Sequence, residues 1–148
     1  MTDGGQNAYA YSVCVSERDV YVAGRESNGN KSVAKYWKNG TGVSLTNGNK
    51  DACANSIFVS GNDIYVAGYE LDGSYIAKYW KNGAAVSLGT EYALAYATSI
   101  FVSGNDVYVA GYVRNYGNDI AAYWKNGQIT LLTDSRYQAK AHSIFVSE

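Results

Sequence analysis

The stretch SIFVSGNDVYVAGY, residues 99–112, repeats SIFVSGNDIYVAGY, residues 56–69, except that Ile64 is replaced by Val. A looser copy, SVCVSERDVYVAGR, occupies residues 12–25, and a fourth, SIFVSE, occupies residues 143–148. Self-similarity at a fixed spacing is the signature of a repeat architecture. The copies therefore decide the fold, and the other segments are interpreted relative to them.

The repeat has a period of about 44 residues, which lies in the range of propeller and solenoid units. Two sets of markers carry it: the opening serines Ser12, Ser56, Ser99 and Ser143, and the tryptophans Trp37, Trp80 and Trp124. The chain thus contains three full units and the first strand of another.

Each unit predicts four short strands, because runs of β-branched and aromatic residues alternate with turn residues. In the second unit these strands are residues 56–60, 64–68, 76–81 and 85–88, and an Ala-x-Ala-x-Ser segment leads into the first. The third and fourth strands are joined by Asn-Gly in every unit, which is a strong hairpin signal. The connection from second to third strand, residues 69–75 here, is longer and differs between units.

A four-stranded unit with an aromatic residue near the end of its third strand resembles a blade of the WD-repeat-like β-propellers. The pairs Tyr36-Trp37, Tyr79-Trp80 and Tyr123-Trp124 stand where that family carries Trp-Asp. Lys follows each Trp instead of Asp, and no Gly-His precedes the first strand, so the resemblance concerns the blade and not membership of the family.

The resemblance implies an all-β β-propeller built from four-stranded antiparallel blades within a single domain, residues 1–148. The expected blades are residues 8–51, 52–94 and 95–138, followed by an extra first-type strand within residues 139–148. Near-identity of the second and third units indicates recent duplication or engineering, and a chain that stops within a blade favours a fragment.

Propellers typically have four to eight blades, so three blades leave two apolar faces open. We expect a homo-oligomer to complete the ring, with a six-bladed dimer favoured over a nine-bladed trimer. The extra strand, residues 143–147, either enters the partner's first blade in place of residues 12–16 or is a frayed end.

Composition argues against several classes of function. The net charge is −1, which does not favour a nucleic-acid partner, and no apolar run is long enough for a membrane span or a signal peptide. The localisation is left open. One histidine and two separated cysteines provide no catalytic triad, metal-ligand spacing or disulfide framework, so we expect no cofactor, no metal and no enzyme.

The variable connections are expected to share one face of the disc, which is where binding sites are often built on a fixed scaffold. Candidate ligand-binding residues on that face are Arg25, Tyr69, Glu70, Asp72, Tyr96, Tyr112, Arg114 and Tyr116. The alternative is that exposed polar loops simply vary. Residues that recur once per unit are interpreted as structural: Trp37, Trp80, Trp124, Asp19, Asp63 and Asp106.

Three functions remain open on the sequence. The first is a non-catalytic, self-assembling scaffold or binding module with a small-molecule or glycan ligand. The second is a lectin-like module in which Tyr69 and Tyr112 stack on sugars. The third is a fragment of a propeller enzyme in which Glu70 and Asp72 act as acid and base at a channel mouth.

Overall fold

The structure is a computed structural model that describes residues 5–89 and 91–147. Residues 1–4, Thr90 within the expected second blade, and Glu148 at the end of the expected extra strand lie outside the described residues. The described chain forms three four-stranded antiparallel sheets and contains no helix, and thus none that could span a membrane. The all-β prediction is confirmed.

Every sheet is a simple meander in sequence order. The first sheet contains β1 (Ala8–Ser16), β2 (Asp19–Ser27), β3 (Ser32–Lys38) and β4 (Thr41–Ser44). The second contains β5 (Ala52–Ser60), β6 (Asp63–Asp72), β7 (Ser74–Lys81) and β8 (Ala84–Ser87). The third contains β9 (Leu94–Ser103), β10 (Asp106–Asn115), β11 (Asn118–Lys125) and β12 (Gln128–Leu131).

The Asn-Gly hairpins form as predicted. Asn39 and Gly40 have φ values of 49° and 83°, and Lys38 pairs with Thr41 across them. Positive φ at both central positions matches the right-handed twist of the flanking strands. The Asn39 side chain closes the turn further, because its Oδ1 accepts a hydrogen bond from the Val20 amide at 2.9 Å.

The first strand of each sheet contains one extra residue, which the sequence did not predict. In β5 this residue is Asn55, since Ala54 pairs with Gly68 and Ser56 pairs with Ala67. Such a bulge leaves a residue unpaired and redirects its side chain. Asn55 uses this freedom to donate from Nδ2 to the Ala97 carbonyl of the third sheet, at 2.8 Å.

The connection expected at residues 69–75 is wrong for the second unit, because β6 continues to Asp72 and Gly73 alone joins it to β7. The physical reason is that residues 69–71 and 75–77 have the β propensity to extend the ladder, while Gly73 adopts a φ of 71° that closes a tight turn. The third unit behaves alike, with a turn at residues 116–117. Most predicted site residues therefore lie on strands.

The sheets stack in sequence order, and the stack is not closed. Strand β5 packs across β1, β2 and β3 of the first sheet, and β9 packs across β5, β6 and β7 of the second. A recurring hydrogen bond links the first strands: the Ile57 amide donates to Ser12 Oγ at 3.3 Å, and the Ile100 amide donates to Ser56 Oγ at 3.1 Å. Each pair of neighbouring sheets encloses its own apolar core.

Residues 139–147 continue this pattern without pairing as a β-strand in the described chain, contrary to the expected extra strand. The Ile144 amide donates to Ser99 Oγ at 3.2 Å, and Phe145 packs on Phe101 with ring centroids 5.0 Å apart. The segment thus lies at the position of a next first strand. It is not a strand because no second strand among the described residues lies beside it.

Candidate functional site

The residue after the recurring glycine of each second strand pairs with a residue in the lead-in of the first strand. The pairs are Arg25 with Tyr9, Tyr69 with Cys53, and Tyr112 with Tyr96. Because the first strands stack on one another, the three pairs form a row that runs across the sheets. The row brings together four of the predicted site residues: Arg25, Tyr69, Tyr96 and Tyr112.

At the boundary of the second and third sheets the row becomes a cluster of four rings, Tyr69, Tyr75, Tyr96 and Tyr112, called the tyrosine cluster below. Tyr96 is its centre, with ring centroids 5.2 Å from Tyr69, 4.8 Å from Tyr75 and 4.8 Å from Tyr112. Tyr69 meets Tyr75 edge-on at 5.3 Å. Stacked and edge-to-face pairs at such distances stabilise a fold beyond the area that they bury.

Two members of the tyrosine cluster, Tyr69 and Tyr96, have the chemistry of neutral phenols. Burial raises the pKa of Tyr69 to about 12, with neighbouring Cys53 adding to the effect. Burial also raises the pKa of Tyr96, and the adjacent Tyr75 and Tyr112 raise it further. These groups can donate hydrogen bonds and stack, but they do not supply a base or a nucleophile near neutral pH.

Cys53 lies beside this row and is buried. Burial raises the pKa of its thiol to about 11, and the charge of Arg25 opposes the increase only in part. A thiol is nucleophilic as the thiolate, so Cys53 is inert at neutral pH. Its Sγ is 3.2 Å from Asn55 Oδ1.

The predicted carboxylates and Arg114 lie in ion pairs. Glu70 pairs with Lys78 at 3.1 Å, and Asp72 pairs with Lys50 at 2.6 Å. Arg114 Nε donates to Asp119 Oδ1 at 2.7 Å. Each charge is thereby offset by a neighbour, and the arrangement does not set one carboxylate against another as an acid–base pair would require.

Tyr116 is separate from the other candidates. It occupies the β10–β11 turn with a φ of 47°, and 95% of its side chain is exposed. The sequence grouped it with the other tyrosines because all were expected on variable loops. Tyr116 does lie in such a connection, whereas the other seven candidates lie on strands.

The recurring tryptophans occupy equivalent positions in the three sheets but differ in what packs against them. Trp80 and Trp124 are each 1% exposed, and each belongs to the core between its own sheet and the preceding one. Trp37 lies on the outer side of the first sheet, beside an open cavity of about 360 Å³ lined by Ala8, Val20 and Val22. The two enclosed tryptophans thus pack between sheets.

The recurring aspartates each bind three side chains at the hairpin edge. Asp63 accepts from Asn82 Nδ2 at 2.8 Å and from Tyr65 OH at 3.4 Å, and pairs with Lys81 at 2.9 Å. The hydrogen bond from Lys81 is the main cause that holds the pKa of Asp63 below 3.8. Asp19 and Asp106 make the same set of contacts.

Sequence reasoning missed the partners that the stacking of sheets brings to the row. Lys140 lies over the Tyr112 ring at 4.5 Å and pairs with Asp119 at 3.2 Å. The sequence does contain a signal for this row: the position three residues before each opening serine varies (Tyr9, Cys53, Tyr96, Lys140), while its neighbours on both sides recur as alanine.

Among the described residues no cluster of His, Cys, Asp and Glu is arranged to hold a metal ion.

Comparison with the models of known protein families gives no match, and no curated protein is significantly similar to the chain.

Proposed function

We propose that the protein is a non-catalytic scaffold and binding module whose sheets act as propeller blades, completed to a ring by a second copy of the chain. One observation carries the proposal. Val13 on β1 is 65% exposed, whereas its equivalents Ile57 and Ile100 are 4% and 3% exposed. The face that the second and third sheets bury is therefore uncovered on the first sheet.

The chain also carries the surface that would cover this face. The first sheet covers the second with Tyr21, Ala23 and Ala34, and the equivalent residues of the third sheet are Tyr108, Ala110 and Ala121. Residues 139–147 lie on this side of the third sheet, where the Ala141 amide donates to the Gly111 carbonyl and the Ile144 amide donates to Ser99 Oγ, so a second copy that stacks here displaces that segment. A second copy stacked in the same direction would repeat a contact that the chain already makes twice. Because two copies supply six sheets, the resulting ring falls within the usual size of propellers.

The charge distribution supports a role that involves neither nucleic acid nor a membrane surface. The lysines of the Tyr-Trp-Lys runs, Lys38, Lys81 and Lys125, pair with Asp19, Asp63 and Asp106 at 2.7–2.9 Å. Clustered, unpaired cations are what drives binding to phosphates. The aromatic-basic runs are therefore assigned to the hairpin edges.

The two alternatives have less support. A lectin-like site would need open faces on Tyr69 and Tyr112, but both rings pack on Tyr96 and the ammonium of Lys140 lies over Tyr112. A catalytic pair of Glu70 and Asp72 would need at least one uncompensated carboxylate, but a lysine pairs with each.

Light scattering on a sizing column tests the proposal. We expect a mass near twice the 16.0 kDa of one chain. Val13→Lys places a charge on the proposed contact and should give a monomer that remains folded by circular dichroism. Val43→Lys is the matched control, because Val43 is also exposed but lies on the outer strand β4. A wild-type protein that is a compact monomer at all concentrations would overturn the proposal.

A further inference from the structure

Arg25 and Arg18 are the two cations of the described residues outside ion pairs, and Arg18 lies in the exposed β1–β2 turn. Every lysine lies in an ion pair, as do Arg114 and Arg136. Arg25 pairs with no carboxylate of the described residues, although it is half-buried between the first and second sheets. Its Nε is buried without a hydrogen-bond acceptor. An uncompensated, partly desolvated guanidinium favours the approach of an anion.

Aromatic rings surround the guanidinium on the side of the first sheet. Its Cζ lies 4.9 Å from the Tyr9 ring centroid and 6.0 Å from that of Tyr11. Its positive charge also opposes part of the increase that burial causes in the pKa of Cys53 and of Tyr69. Arg25 is therefore positioned by rings that cannot neutralise it.

Two cavities meet at this side chain, and we call the space the Arg25 notch. One has a volume of about 160 Å³ and is lined by Arg25, Ser32, Asp51, Tyr69 and Tyr75 among others. The other has a volume of about 240 Å³ and is lined by Asn7, Tyr9, Arg25, Ser27 and Ser32. A water occupies about 30 Å³ of liquid, so the notch has room for a ligand of several non-hydrogen atoms.

The charges around the notch sum to one positive charge. Asp51 is the nearby carboxylate, but its Oδ2 accepts from Lys31 Nζ at 2.9 Å and its Oδ1 accepts from the Ser32 amide at 2.9 Å. The Asp51–Lys31 pair is neutral as a unit, which leaves Arg25 uncompensated. A monoanion balances this charge. A phosphate dianion would leave one negative charge uncompensated, and the Asp51 carboxylate would repel it.

We propose that the Arg25 notch binds a small hydroxylated carboxylate, of the sugar-acid class, with its carboxylate on the Arg25 guanidinium. The planar guanidinium matches a carboxylate through two parallel hydrogen bonds. Ser27, Ser32 and Asn7 line the notch with groups that suit hydroxyls, while Tyr9 and Tyr75 provide ring surface for the body of the ligand. The site is formed within one chain, and its ring Tyr9 also lines the open face of the first sheet that the proposed second copy would cover.

Nuclear magnetic resonance tests this proposal with sodium glucuronate as the probe. We expect saturable shifts of the Arg25 Nε–Hε signal and of amides in residues 7–11, 25–32, 51–53 and 69–75. Glucose, which lacks the carboxylate, and inorganic phosphate should each bind at least about tenfold more weakly, as expected for loss or mismatch of a charge-assisted pair.

Arg25→Gln should weaken glucuronate binding by about tenfold or more, since it removes the charge and the paired donors. Arg18→Gln is the matched control, because Arg18 also lacks an ion pair among the described residues but lies in the exposed β1–β2 turn. If Arg25→Gln does not fold, Arg25→Lys retains the charge but not the planar donors and should still bind more weakly. Equal binding of glucose or phosphate, shifts outside the notch, or no saturable shift in the wild type would each overturn the proposal.

Discussion

The carbonyl oxygen of Cys53 occupies the place where a side chain on Gly68 would begin: a Cβ built on Gly68 falls 1.9 Å from that oxygen. The same close approach joins Gly24 to Tyr9 and Gly111 to Tyr96, also at 1.9 Å. In each sheet the extra residue of the first strand lies two positions after the residue with this carbonyl, so the bulge and the glycine occur together. The glycine recurs because the backbone of the bulged strand leaves no room for a Cβ.

Gly68→Ala should destabilise the protein by about 3 kcal/mol, at the upper end of overpacking penalties, because a backbone carbonyl cannot rotate away as a side chain can. The free energy of unfolding in urea measures this. Gly73→Ala is the control: nothing lies within 4 Å of its Cβ position, and only its φ of 71° opposes the change. We expect the control to cost about 1 kcal/mol. Equal costs for the two variants would contradict the explanation.

The parts of the fold that local chemistry determines were predictable from the sequence. The period, the four strands per unit and the Asn-Gly turns follow from residues adjacent in the chain, such as Asn82 and Gly83 with φ values of 50° and 85°. The bulge at Asn55 was not predictable, because an extra residue in a strand shows only against the register of its partner. Strand β6 was predicted too short for the same reason: its extension depends on pairing with β7.

The candidate site was predicted in composition but not in arrangement. Tyr69, Tyr96 and Tyr112 were singled out, yet they come together through the stacking of two sheets, which a single unit does not reveal. Tyr116 has the same residue type and a similar sequence context, but it lies at an exposed turn. Tyrosine enrichment alone does not separate the two situations.

Glu17 adopts a φ of 54° in the β1–β2 turn, where the second and third units have Gly61 and Gly104 at 56° and 57°. A residue with a Cβ is strained in this region by about 1–2 kcal/mol. Glu17→Gly should therefore raise the free energy of unfolding by up to about 1 kcal/mol, since the entropy lost by glycine offsets part of the gain. Gly61→Glu should lower it similarly. Thermal unfolding of both variants checks this, and a destabilising Glu17→Gly would contradict it.

The hairpin-edge aspartates should make stability depend on acid pH. Hydrogen bonds from Lys81 and Asn82 hold the pKa of folded Asp63 below its ordinary value of 3.8. Such a group stabilises the fold above about pH 4, and this contribution is lost as the pH falls through the lower, folded pKa. Asp63→Asn should flatten the dependence of stability on pH below 4. Glu91→Gln, at an exposed position between the second and third sheets, is the control and should leave that dependence unchanged.

Tyr69 should affect stability at alkaline pH in the opposite direction. Its pKa is raised from 10.0 to about 12 by burial, so the folded state holds a proton that the unfolded chain releases. The contribution of Tyr69 to stability is therefore fully present below pH 10, and it is lost as the pH rises from 10 towards 12. Tyr69→Phe should reduce this fall, measured by unfolding midpoints across that range, whereas Tyr116→Phe should not. Equal alkaline profiles for both variants would show that Tyr69 is not protected.

Asp119 should fix residues 139–147 to the third sheet. Its carboxylate, 3% exposed, receives Arg114 at 2.7 Å and Lys140 at 3.2 Å, and Arg114 is the main cause that lowers its pKa. Asp119→Asn should cost about 2 kcal/mol, less than the 3–5 kcal/mol of a fully buried pair, because both cations are partly exposed. Hydrogen exchange should quicken at the Ala139 and Ala141 amides, which donate to the Asp119 and Gly111 carbonyls at 2.8 and 3.2 Å. Lys140→Met removes only the cation of the segment itself, so it should raise the exchange rates of the same amides with a smaller loss of stability. Unchanged exchange rates in Asp119→Asn would show that Asp119 does not hold the segment.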